Sequence, residues 1–80
     1  MNDDVEEKVK LEYREVERKL HALEDFINHD MHSVVDCVYH RRLLQEQCVT
    51  LRMYRNILNQ RVALFSAKRF LSERENNDEQ

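Results

Sequence analysis

His29, His32, Asp36 and His40 come nearest, by type and spacing, to residues that could do chemistry in this chain. His32, Asp36 and His40 stand four residues apart, which puts them on one face of a helix. Imidazole and carboxylate at that spacing suit Zn²⁺ or another divalent ion. The general base of a His-Glu-x-x-His pattern is missing, however, and three ligands on one exposed helix make an open, weak site. The expectation is solvated side chains, with no metal and no cofactor. A pH-sensitive junction is a smaller expectation, because imidazole titrates near neutrality.

Cys37 and Cys48 are eleven residues apart, about 16 Å along a helix. A disulfide needs Cα atoms within about 7 Å, so one helix cannot join them. They read as small hydrophobes of a buried seam. Catalysis finds no other footing. The chain lacks Gly altogether, so it has no phosphate-cradling loop and no nucleophile elbow, and neither an enzyme nor a small-molecule substrate is expected. Nucleic acid is a weaker partner class. Residues 37–71 are basic and contain Tyr39, Tyr54, Phe65 and Phe70, but the arginines are spread round the helix rather than gathered into one basic region.

The elements that carry these residues are helical. Eighty residues contain no Gly, Pro or Trp, and 36% are charged. Such a chain has none of the residues that tight corners prefer, and its sustained periodicity suits a long helix. From residue 9 to residue 65 there are seventeen heptad a and d positions, and fourteen are apolar, counting Cys and Tyr. The exceptions are Asp30, Arg41 and Arg55. The sequence thus predicts an all-α protein, a long helical coiled coil formed by residues 1–80 as one segment. A homodimer would close through Val9, Val16, Leu20, Leu23, Ile27, Val34, Cys37, Leu44, Cys48, Leu51, Leu58, Val62 and Phe65. Leu44, Leu51 and Leu58 are its expected anchors. Asp3 with Glu6 has the spacing of a capping box at the start. The polar stretch 72–80 is expected to fray.

One interruption allows a second architecture. Asn28-His29-Asp30-Met31-His32-Ser33 is polar and rich in capping residues, and Ser33 with Asp36 would suit the start of a new helix. The alternative is therefore a helical hairpin turning near residues 28–33. Against it, the heptad frame is the same on both sides, and Met31, Val34, Val35 and Val38 continue a helical face through the gap. The continuous helix is the preferred expectation. Charge favours antiparallel pairing of either kind: residues 1–40 hold eleven acids and five Lys or Arg, whereas 37–71 hold seven Lys or Arg and Glu46 alone.

A second apolar stripe lies half a turn from the first. Tyr39, Leu43, Met53, Ile57, Leu64 and Leu71 occupy positions that a two-stranded coil leaves in water, and Arg42, Arg52 and Arg61 flank them. Exposed apolar surface of this extent marks a binding face, and the flanking arginines suit an acidic partner. Two expectations follow: an adaptor, cargo-binding or scaffold segment that binds itself and at least one further protein, or a hairpin chaperone or subunit of a larger complex. Met53-Tyr54-Arg55-Asn56-Ile57-Leu58 resembles the Tyr-Arg-x-Leu-Leu end of the intermediate filament rod, over six residues; the acidic run that follows there is Asn59-Gln60-Arg61-Val62 here, and nothing is carried over. No apolar run approaches the ~20 residues of a membrane span, and the acidic N-terminus is unlike a secretory signal, so a cytoplasmic location is expected.

Overall fold

The computed structural model describes residues 2–78, with side chains over residues 4–72. It is all-α: α1 spans Asn2–His29, a single turn α2 spans Met31–Val34, and α3 spans Val38–Asp78. The continuous helix is not what forms. The chain turns between α1 and α3, and the two long helices lie against each other in a hairpin of 67 × 18 × 17 Å. Seventy helical residues in line would reach about 105 Å.

The a and d stripe explains why the hairpin wins. An extended lone helix would leave that stripe in water. Folding back buries it within one chain, at the cost of closing a short loop, which is modest for so few residues. Pairing with a second chain costs about 4–15 kcal/mol of lost translational and rotational freedom. The core centres on Val9, Val16 and Leu58, with Tyr13, Leu51, Val62 and Phe65 packed against it. Leu20 and Cys48 are also buried. Each such aliphatic side chain contributes about 1.5–3 kcal/mol. What was expected as a homodimer seam is therefore largely the contact between α1 and α3 of the same chain.

Two expected seam residues lie elsewhere. Val34 is 67% exposed and Cys37 is exposed, because Val34 ends the single turn of α2 and Cys37 lies in the non-helical link before α3. Met31 and Val35 are buried in their place.

The corner solves the problem of turning without Gly. Among the described residues no φ is positive. The path from Asp30 to Cys37 bends at an irregular helical residue, Asp30 (φ −116°, ψ −23°), makes the turn of α2, and leaves through extended Val35 (φ −106°, ψ 109°). Ser33 does not start a helix; its hydroxyl donates to the Asp30 carbonyl at 3.0 Å, and α3 begins at Val38, five residues beyond the end of the expected turn. The shared heptad frame on either side carries no structural weight, since antiparallel helices need no common phase. Of the polar stretch 72–80, residues 72–78 continue α3 and 79–80 lie outside the described residues.

Candidate protein-binding face

The three polar interruptions of the heptad pattern are where the hairpin is shaped. Asp30 precedes α2. Arg41, part-buried at the start of α3, reaches back over the corner: its Nε donates to the Val35 carbonyl, and its Nη2 donates to the His32 carbonyl at 3.2 Å. One guanidinium fork thereby satisfies two carbonyls that the turn leaves without helical partners. Arg55 sits 3.6 Å from Glu17 across the helix pair.

Arg55–Glu17 is one rung of a ladder. Arg52 contacts Glu24 at 2.9 Å, and Arg69 contacts Glu6. Three carboxylates of the acidic first arm are thus matched by arginines of the basic second arm within one chain. The carboxyl of Glu6 is held below its ordinary pKa, first by Lys10 and then by Arg69. That of Glu17 is also lowered, first by the Tyr13 hydroxyl that donates to it, and then by Arg55. The same hydrogen bond raises the pKa of Tyr13, and Glu24 raises that of Arg52.

The outer stripe of α3 has no such cover. Tyr39, Leu43, Met53, Ile57, Leu64 and Leu71 are all 54–77% exposed. The reason is geometric: seam and stripe lie half a turn apart, so α1 covers only the first. Of the expected flanking arginines, Arg52 is committed to Glu24 and Arg42 lies 3.3 Å from Glu46. Arg61 has no acidic partner among the described residues, and neither does Lys68. Near the far end of the stripe, Arg61, Leu64, Phe65, Ala67, Lys68 and Leu71 line a shallow hollow of about 320 Å³.

A family model described as Sequestin matches residues 3–64. The chain belongs to the Sequestin family. The matched span covers nearly all of α1, the corner and α3 through Leu64, so it includes the core and most of the outer stripe. No curated protein and no solved structure matches the chain.

The outer face of α1 in this Sequestin-family hairpin is different. It offers Val5 and Leu11 among exposed Asp4, Glu7, Lys8, Arg14, Glu15, Arg18 and Lys19, a mixed and solvated surface. Sequence reasoning passed over Met31 and Val35 as core and over exposed Val49 and Phe70 beside the outer stripe. The helical face running through Met31, Val34, Val35 and Val38 carried half of the corner's signal: Met31 and Val35 turn in, whereas Val34 and Val38 turn out.

The other constellations are dispersed. His32 lies on α2 and His40 on α3, with non-helical Asp36 between, so the shared face expected of these three does not form. Among the described residues no three His, Cys, Asp or Glu side chains gather where they could hold a metal ion. Among them, too, no helix is long and apolar enough to cross a membrane.

Proposed function

We propose that this Sequestin-family chain is a non-enzymatic protein-binding module: a helical hairpin whose long arm presents the Tyr39–Leu71 face to another protein, as a subunit of a larger assembly. The observation that carries this is the exposure of six large apolar side chains along one face of α3, while the opposite face of the same helix is filled. Helix-in-groove and helix-on-helix binding use such apolar positions at intervals of three and four residues. A nucleic-acid reading is less well supported, because Arg52, Arg55 and Arg69 are already engaged by carboxylates of α1.

The test is site-specific photo-cross-linking in the cells that make the protein. A photoreactive side chain in place of Ile57 should give a discrete protein adduct, and one in place of Arg18, on the outer face of α1, should give none. Adding Met53→Glu should abolish the Ile57 adduct while helicity and melting temperature of the purified chain are kept. No adduct from Ile57, or equal adducts from both faces, would overturn the reading.

A further inference from the structure

We propose that the occupant of the outer face of α3 is a second copy of this chain, lying antiparallel, with a two-fold axis at the level of Arg55. This deepens the reading above and rests on it. The stripe is itself a heptad seam, running Tyr39, Leu43, Glu46, Thr50, Met53, Ile57 and on through Gln60, Leu64, Ala67 and Leu71 at alternating steps of four and three. Laid antiparallel on itself about that axis, it pairs apolar with apolar or polar with polar at every rung but Glu46–Leu64. Met53 meets Ile57 of the second copy, Thr50 meets Gln60, and Tyr39 meets Leu71.

Two further features fit the same register. Leu43 falls opposite Ala67 of the second copy, and Ala67, the small residue of the stripe, lies in the hollow between Leu64 and Leu71. A leucine knob entering a hole floored by alanine is how helices interlock along such a seam. Glu46, the lone acid between residues 37 and 71, lies 3.3 Å from Arg42 of its own helix and falls opposite Leu64 of the second copy. Arg61 and Lys68, one turn to either side of Leu64, are the two cations of this face without an acidic partner among the described residues. Symmetry supplies the pairing twice.

The area is adequate for a reversible contact. A stripe from residue 39 to residue 71 is about 48 Å long at ~1.5 Å per residue. At a width of about 10 Å, two copies would bury close to the ~1,000 Å² at which specific interfaces begin. Because seam and stripe are opposed on α3, the assembly is a row of four helices with each α1 outermost.

Sedimentation equilibrium of the reduced, purified chain should show reversible doubling of its 9.8 kDa mass as concentration rises. In a Cys37→Ser background, Leu43→Cys mixed with Ala67→Cys should form a mixed disulfide, whereas neither variant alone should join to itself. Glu46→Lys should weaken the dimer at least tenfold, and adding Arg61→Glu with Lys68→Glu should restore it. These charge variants lie on the exposed face and keep the test sound should a cysteine variant fold poorly. A chain that stays single at every concentration overturns self-pairing, and so does self-joining of Leu43→Cys or indifference to Glu46→Lys. Failure of the protein-binding reading is seen separately, as the absence of any adduct from Ile57; an adduct heavier than two chains would keep that reading and refute this one.

Discussion

The two faces of α3 have similar apolar content and opposite fates. The inner face, with Leu44, Cys48, Leu51, Leu58, Val62 and Phe65, is wholly or partly covered by α1. The outer face, with Leu43, Met53, Ile57, Leu64 and Leu71, stays in water. Hydrophobicity alone does not separate Leu58, fully buried, from Ile57, its neighbour in sequence at 54% exposure. What separates them is about 100° of helical rotation and the position of one short arm. The lesson concerns supply: one arm of 28 residues can cover one stripe of a helix that carries two.

That contrast is open to direct attack. Leu58→Ala, in the inner stripe, should cost about 2–5 kcal/mol of folding stability, enough to unfold much of so small a domain. Ile57→Ala should change the unfolding free energy of the dilute chain by no more than about 0.5 kcal/mol. Chemical denaturation of the pair checks this, and similar losses from both would mean that the outer face is also core.

A smaller effect is expected at the corner. Arg41→Ala removes the fork that serves the Val35 and His32 carbonyls and should cost about 1–3 kcal/mol. Arg41→Lys should recover only part of it, since an ammonium lacks the planar pair of donors. Hydrogen exchange should show the loss first at the amides of α2. A stability unchanged by Arg41→Ala would remove the clamp from the account of the turn.

The mildest effect is on pH. Glu6 and Glu17 have folded pKa values below their ordinary ones. Their contribution is therefore complete above the unfolded pKa, about 4.3, and is lost as pH falls through the lower folded values. Thermal melts should be flat in this contribution near neutrality and should fall below about pH 4. With Glu6→Gln and Glu17→Gln combined, the acid limb should become shallower; an unaltered limb would mean that other carboxylates govern it.

Much of this was legible in residue types and spacing. The heptad stripe marked the core residues of both long helices, and the charge asymmetry anticipated an acidic arm against a basic one, which the Glu6–Arg69, Glu17–Arg55 and Glu24–Arg52 contacts realise. The second stripe marked the residues left exposed. The corner was harder to read. Gly and Pro announce turns because they supply special backbone angles, but this turn uses none; it is made from ordinary φ values, one helical turn and a side-chain clamp. Arg41 therefore read as a flaw in a seam. Val34 and Cys37 kept the heptad phase by coincidence and so read as seam residues.

By itself the sequence determined that the chain is helical, that it has two apolar stripes on one long segment, and that its halves carry opposite charge. These are local properties, set by the 3.6-residue turn and by residue type. Only the tertiary structure decided which copy of the chain covers the first stripe. A helix face needs burial but does not specify its partner, and a tethered arm of the same chain has a far smaller entropic cost than a separate molecule. That choice turned a seam expected between chains into a core within one, and it left the Tyr39–Leu71 face as the surface still to be covered.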